Sequence, residues 1–243
     1  MSMRVLPVCG PEGPLRPVAA SAPPPVRGVL FDFSGTLFQI DTYANRVRAV
    51  MARDIGRTEM EALIGGLERG LSDPAVVRAQ HDRDVSAQAH RHAFVTWYMS
   101  VPALAPFAEA LYEQLQAPRH WMPYADALPT LTALARHGIA LGVVSDIGWD
   151  LRDIFRWHGL EHFFTAWVHS YEHGTEKPDP LLFQHACDAI GVTEAETLMV
   201  GDHPARDGGA AGAGLRSYVL PAGAAPGAHR GLDAVRRIVG LDA

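Results

Sequence analysis

The chain has 243 residues, 48% of them hydrophobic, so it can bury a core as one domain or two. Its formal net charge of −6 offers no basic surface to nucleic acid or to an anionic membrane, and no apolar run approaches the length of a membrane span. We therefore expect small-molecule partners. The two cysteines are too few for a disulfide framework, which favours a cytoplasmic location.

Residues 1–26 form the first region of the chain and are rich in Pro, Ala and Gly. This composition does not support helix or strand periodicity, and prolines interrupt every apolar stretch that could serve as a secretory signal. We interpret the region as a flexible leader.

The first predicted strand is the apolar run VLF at 29–31, which ends at Asp32. Its apolar residues are continuous, as is typical of a strand covered on both faces in a parallel sheet. Ligands bind beyond the carboxyl ends of such strands, so Asp32 is expected to meet a ligand there. Gly35 would let the following loop turn sharply and approach that ligand.

About eighty residues after Leu37 have apolar residues spaced at three and four, which predicts amphipathic helices. One such stretch runs from Pro74 to about Met99. We expect a small helical domain inserted after the first strand. Some of its cationic residues could face a substrate, although a solvated helix face is the simpler account for each: His81, His90, His92, Arg46, Arg48, Arg78, Arg83 and Arg91.

From residue 121 onwards, strands and helices alternate. Helices are predicted at 125–137 and 150–157, after Pro178 and Pro180, from about Ala205, and at the end of the chain. Strands are predicted at 139–144, 166–169, 197–200 and 217–220. This alternation predicts an α/β fold with a parallel sheet.

Several chemically active residues follow the predicted strands. Asp32, Ser145 and the pair Asp202 and Asp207 each lie at or after a strand end, and Lys177, the only lysine, precedes a helix. The carboxyl ends of parallel strands lie on one edge of a sheet, so these side chains can converge. A carboxylate nucleophile, carboxylates for a metal, a hydroxyl and a lysine together suit phosphoryl transfer.

Four motifs occur in order: DFSGT at 32–36, LGVVS at 141–145, EKPDP at 176–180 and GDHPARD at 201–207. In these motifs, residues 27–243 resemble the haloacid dehalogenase superfamily of hydrolases. The resemblance implies a Rossmann-like α/β core formed by 27–40 and 120–243. It also implies an all-α cap domain at 41–119 that closes over the site and selects a small phosphorylated substrate.

The resemblance assigns a role to each motif residue. Asp32 would attack phosphorus and form an aspartyl-phosphate, while Ser145 donates to one phosphoryl oxygen and Lys177 neutralises another. Mg²⁺ would be held by Asp32, the Ser34 carbonyl, Asp202 and Asp207.

Four further residues are expected to contact substrate: Gly35, Thr36, Asp146 and His203. Two of them have a simpler interpretation. Asp146 could be a helix N-cap, and His203 could be an exposed loop residue.

The chain departs from the family pattern at Ser34. Phosphatases of the family usually have a second aspartate there, which protonates the leaving group and activates water. Three interpretations follow. A phosphatase could recruit another acid, such as His203, Asp146 or a cap histidine. A dehalogenase needs no such acid, but that branch works without a metal, and the aspartate pair of the fourth motif argues against it. A non-catalytic phospholigand binder is the third, and we favour the phosphatase.

Overall fold

The computed structural model describes residues 9–10, 13–14, 23–221, 223 and 225–241. Most of the predicted leader at 1–26 therefore lies outside the described residues. Within it, strands β1 (Cys9–Gly10) and β2 (Gly13–Pro14) pair antiparallel. The composition predicts no strand here, and this two-residue pairing corrects that expectation.

A parallel sheet forms the centre of the protein. The strands after β2 are β3 (Gly28–Phe31), β4 (Phe38–Ile40), β5 (Trp121–Pro123), β6 (Ala140–Ser145), β7 (Ala166–His169), β8 (Thr197–Gly201) and β9 (Arg216–Val219). Five of them form the sheet in the order β7, β6, β3, β8, β9, with every neighbouring pair parallel. The predicted parallel α/β fold is confirmed.

Helices cover both faces of this sheet. The α-helices are α1 (Tyr43–Met51), α2 (Arg57–Gly70), α3 (Pro74–Gln80), α4 (Ala87–Met99), α5 (Ala108–Gln116), α6 (Ala127–Arg136), α7 (Arg152–Trp157), α8 (Ser170–His173), α9 (Pro180–Ile190) and α10 (Asp233–Ile238). Val29 and Phe31 of β3 pack in one hydrophobic cluster with α6, α7 and α10. Leu30, between them, packs in another cluster with α9. Successive side chains of β3 thus face opposite sides of the sheet, and both sides are covered by helices. This explains why the strand is apolar at every position. No helix in the described ranges combines the length and apolarity needed to cross a bilayer.

Helices α1 to α5 have a hydrophobic core of their own. Trp97 and Tyr98 are buried in it, and Phe107 packs against it. The antiparallel pair β4–β5 joins this inserted segment to the sheet. Ile40 and Trp149 pack against both cores and so mark where the two meet.

The helical stretch predicted from Pro74 to Met99 is interrupted. A 3₁₀ turn at Arg83–Val85 separates α3 from α4. Asp82 has φ of 50°, a left-handed conformation that ends the helical path, and the Ser86 hydroxyl accepts from the Ala89 N–H to cap α4. Arg83 and Asp84 therefore project from a turn instead of a helix face.

The helix predicted from about Ala205 is also wrong. The chain forms a 3₁₀ helix at Gly208–Ala213. A Cβ at Gly209 would lie 2.3 Å from Cβ of Pro178, so this segment approaches its neighbour closely, and its glycines stabilise an α-helix poorly. Helix α7 begins at Arg152 instead of 150, because the Asp150 carboxylate accepts the Arg152 N–H.

Candidate active site

Polar residues lie at the carboxyl ends of three adjacent strands. Asp32 follows β3, Ser145 is the last residue of β6, and Asp202 follows β8. Strand β3 lies between β6 and β8, so the strand order itself places the three side chains on one edge. The topology thus brings together residues that are distant in sequence, at the edge where parallel sheets bind ligands.

The ammonium group of Lys177 lies among the carboxylates at this edge. Its Nζ donates to Asp32 Oδ1 at 2.8 Å, to Asp207 Oδ1 at 2.6 Å and to the Val144 carbonyl at 3.2 Å. All three charged side chains are buried, so solvent screens their attraction poorly. Lys177 is therefore an internal counter-charge for two aspartates.

The carboxylates still outnumber the cations in this cluster. Burial, and after it the neighbouring Asp207 and Asp202, raise the pKa of Asp32 to about 7 against the attraction of Lys177. Burial and then Asp207 also raise the pKa of Asp202. Burial alone would lower the pKa of Lys177, but Asp32 and Asp207 together raise it above its ordinary value. The cluster is thus electrostatically suited to one more cation.

Asp32, Asp202 and Asp207 each offer a carboxylate oxygen, and these oxygens lie within 4.8 Å of one another. Two glycines allow this crowding. A Cβ on Gly35, which has φ of 78°, would lie 2.3 Å from Asp202 Oδ2. A Cβ on Gly201 would lie 2.1 Å from Asp207 Cγ. Neither position can hold a side chain without moving an aspartate.

Two hydrogen bonds hold the loop that follows Asp32. The Thr36 hydroxyl is buried and lies 3.4 Å from Asp32 Oδ2, to which it donates. The Gly35 carbonyl accepts from Arg230 Nε at 2.5 Å. Neither Gly35 nor Thr36, both predicted to contact substrate, lines the pocket described below, whereas Ser34 does.

Asp146 and His203 form hydrogen bonds with other residues of the site. Asp146 Oδ1 accepts the Lys177 backbone N–H at 2.8 Å, and its Oδ2 lies 3.2 Å from Arg206 Nη1. The interpretation of Asp146 as an N-cap is wrong, since α7 begins only at Arg152. His203 is exposed, as expected, and its N–H donates to Asp207 Oδ2 at 2.9 Å.

These residues enclose a pocket of about 150 Å³. Its lining combines residues of the sheet edge with two from the turn between α3 and α4: Asp32, Ser34, Arg83, Asp84, Ser145, Asp146, Lys177, Asp202, His203, Arg206 and Asp207. Sequence reasoning missed Asp84 and Arg206 and favoured a solvated face for Arg83. The four consecutive polar residues HDRD at 81–84, which break the apolar spacing, were the available signal.

A family model described as "Hydrolase: haloacid dehalogenase-like hydrolase" matches residues 26–214. The chain belongs to this family. This haloacid dehalogenase-like hydrolase is 31% identical over 194 residues to the glyceraldehyde 3-phosphate phosphatase of Methanopyrus kandleri, a match covering 75% of this chain and 78% of the relative.

Two further proteins match this chain over different shares of its length. The bovine (Bos taurus) haloacid dehalogenase-like hydrolase domain-containing protein 3 is 35% identical over 119 residues, which span 49% of this chain and about half (47%) of that protein. The L-2-haloacid dehalogenase of Xanthobacter autotrophicus has a TM-score of 0.61 at 20% identity, covering 90% of this chain and 84% of that structure. The structural likeness shows the fold of the hydrolase and does not separate phosphatase from dehalogenase.

Proposed function

We propose that this hydrolase is an Mg²⁺-dependent phosphatase of small phosphomonoesters that uses Asp32 as its nucleophile. The observation that carries the proposal is the cluster of the buried Asp32 and Asp207 with the half-buried Asp202, next to Lys177. The similarity of this chain to a phosphatase, over three quarters of its length, supports the reaction class.

The donor set fits Mg²⁺. This cation prefers carboxylate and carbonyl oxygens, and three carboxylates meet within 4.8 Å in a site where one lysine balances only part of their charge. Asp32, Asp202, Asp207 and the Ser34 carbonyl would hold it. Bound there, Mg²⁺ would offset the negative charge of a phosphoryl group that approaches an anionic nucleophile.

Asp32 is prepared for attack by its neighbours. Lys177 occupies Oδ1 and Thr36 approaches Oδ2, so both oxygens are oriented. An Asp32 oxygen forms a bond to phosphorus while the ester P–O bond breaks, and the departing alkoxide takes up a proton. Water then cleaves the aspartyl-phosphate, which releases inorganic phosphate and restores the carboxylate. Ser145 and Lys177 would bind the phosphoryl oxygens throughout.

The proton for the leaving group needs a source other than Ser34. Asp146 is a poor one, since its two oxygens accept from Lys177 and lie against Arg206. His90 is excluded because it is buried away from the pocket and burial lowers its pKa to about 3. His203 lines the pocket and is exposed, and we assign it as the substitute donor, which in its imidazolium form would give a proton to the departing alkoxide.

Residues 41–119 would act as a cap in this reaction, with the core formed by 27–40 and 120–243. Their separate hydrophobic core and the narrow β4–β5 connection support movement as one unit. The hinges would then lie near 39–41 and 120–123.

Two other functions stay open as alternatives, a dehalogenase and a binder of phosphorylated ligands without turnover. The aspartate cluster favours the phosphatase over the dehalogenase, which the family resemblance implies would need no metal. A matched aryl and alkyl phosphomonoester, each assayed with Mg²⁺ and with a chelator, separates the three.

We expect hydrolysis that requires Mg²⁺ and is lost by at least about 10⁴-fold in Asp32→Asn. Because His203 replaces an aspartate at position 34 only in part, the aryl ester should be cleaved faster than the alkyl ester, and Ser34→Asp should accelerate the alkyl ester selectively, by about 10- to 100-fold. His203→Ala should lower alkyl ester turnover. Chelator-resistant hydrolysis would contradict the metal proposal, and tight phosphate binding without turnover would indicate a binder.

A further inference from the structure

Two arginines line the same pocket as Asp32 and Lys177. Arg83 comes from the turn between α3 and α4, and Arg206 from the loop between the two aspartates of GDHPARD. Their side chains are 34% and 37% exposed, so both are within reach of a bound molecule. Taken alone, they would suit a second anionic group on the substrate.

Both guanidinium groups are, however, already paired with one buried carboxylate. Asp84 is 1% exposed, and its oxygens lie 3.3 Å from Arg83 Nε and 3.6 Å from Arg206 Nη1. Arg206 also lies 3.2 Å from Asp146 and 3.9 Å from Glu176. Three carboxylates therefore face two guanidinium groups on this wall.

The neighbouring histidine does not restore the balance. His90 Nε2 lies 3.5 Å from Asp84 Oδ1, but burial keeps His90 neutral near pH 7. A substrate anion placed beside the arginines would thus meet guanidinium groups whose charge three carboxylates already offset. The burial of Asp84 limits solvent screening of its charge.

We propose that Asp84 masks Arg83 and Arg206, so that the pocket selects small phosphomonoesters whose alcohol part is uncharged and rejects those that carry a carboxylate. This inference rests on the proposed phosphatase function. The pocket volume of about 150 Å³ limits the alcohol part to a short chain, such as a polyol or a hydroxycarbonyl. Asp84 acts through the arginines and is a specificity-determining residue.

The side chain of Asp84 can be changed without removing its structural contacts. Its backbone N–H donates to Glu176 Oε1 at 2.7 Å, and its carbonyl accepts from the Ser170 hydroxyl at 2.6 Å. Both bonds are made by the main chain. Asp84→Asn is isosteric and keeps them; it removes the charge and replaces one acceptor oxygen by an NH2 donor. Asp82→Asn is the matched control, since it makes the same charge change two residues away on an exposed side chain outside the pocket.

Titration calorimetry with two phosphonates, which cannot be hydrolysed, tests the inference directly. Phosphonoacetate carries a carboxylate and 2-hydroxyethylphosphonate carries a hydroxyl on a chain of the same length. With Mg²⁺ present, we expect the wild type to bind the hydroxyl compound at least about tenfold more tightly. Asp84→Asn should shift the ratio of the two dissociation constants by at least about tenfold towards phosphonoacetate, and Asp82→Asn should leave it unchanged.

A kinetic arm separates this inference from the proposed function. 3-Phosphoglycerate carries a carboxylate where glycerol 3-phosphate carries an alcohol. Asp84→Asn should raise kcat/KM for 3-phosphoglycerate relative to that for glycerol 3-phosphate. If the phosphonate ratio behaves as expected but neither ester is hydrolysed, the phosphatase proposal fails and the charge selectivity stands. Equal binding of the two phosphonates by the wild type, no binding of either, or an unchanged ratio in Asp84→Asn would overturn the inference.

Discussion

The two regions that meet at the pocket hold their charges in different ways. On the sheet side, Asp32 and Asp202 directly follow buried strands, so the strand order fixes their positions. On the helical side, Arg83 and Asp84 lie in a three-residue turn whose position depends on the left-handed Asp82 and the Ser86 cap. Topology therefore places the groups proposed to do chemistry, whereas local backbone geometry places those proposed to select substrate. Changes on the sheet side should abolish activity, and changes on the helical side should alter its selectivity.

Removal of Lys177 should give the largest effect. Lys177→Met leaves Asp32 and Asp207 buried without their counter-charge, so we expect turnover to fall by at least about 10³-fold and stability by about 3–5 kcal/mol at pH 7.5. Lys177→Arg should also lose most activity, because a planar guanidinium does not fit the place of an ammonium. Steady-state kinetics and urea denaturation measure both. Wild-type turnover in Lys177→Arg would show that the lysine is peripheral.

We expect a smaller loss of activity from a substitution at the contact between helix α4 and the sheet edge. A Cβ at Gly148 would lie 2.3 Å from Cβ of His90, so Gly148→Ala should prevent close approach of α4 to the sheet edge. We expect kcat/KM to fall by about 10- to 100-fold while the thermal stability of the sheet changes little.

Gly56→Ala serves as the control for Gly148→Ala, since a Cβ there meets nothing within 4 Å. Equal kcat/KM in the two variants would indicate that contact between helix α4 and the core has no part in the reaction. Hydrogen exchange at 39–41 and 120–123 adds a second measure, and should be faster in Gly148→Ala than in the wild type.

The pH dependence of stability should show the smallest effect. The folded-state pKa of Asp32, about 7, lies above the ordinary value of 3.8, so the folded protein binds this proton more tightly than the unfolded chain. In the absence of metal, its contribution is fully present below about pH 4 and is lost as pH rises through about 7. The free energy of unfolding should therefore decline over this range by about 2–4 kcal/mol.

Denaturation at pH 5 to 8, with and without Mg²⁺, measures this decline. Stabilisation by Mg²⁺ should grow with pH, because the cation binds the ionised carboxylates. Asp32→Asn serves as the control and should flatten the metal-free curve. A metal-free stability that rises steadily between pH 5 and 7 in the wild type would contradict the buried, proton-binding state of Asp32.

The sequence predicted the sheet side well and the helical side poorly. Continuous apolar runs such as 29–31 identify buried strands, and the residues that follow them are then placed by the general geometry of parallel sheets. No comparable rule places Asp84, whose position depends on one left-handed residue within a polar run. The N-cap interpretation of Asp146 was wrong for a related reason. Its partners, Lys177 and Arg206, are distant in sequence and only the tertiary fold reveals them.

Lys177 is the only lysine in the chain and is 4% exposed. Its ammonium is held by Asp32 and Asp207, and its raised pKa leaves almost none of the unprotonated amine that acylating reagents attack. Acylation at this side chain therefore requires the pocket to open and the proton to leave. The rate of acylation at Lys177, followed by mass spectrometry, would report the rate at which the site opens. No other lysine in the chain competes for the reagent.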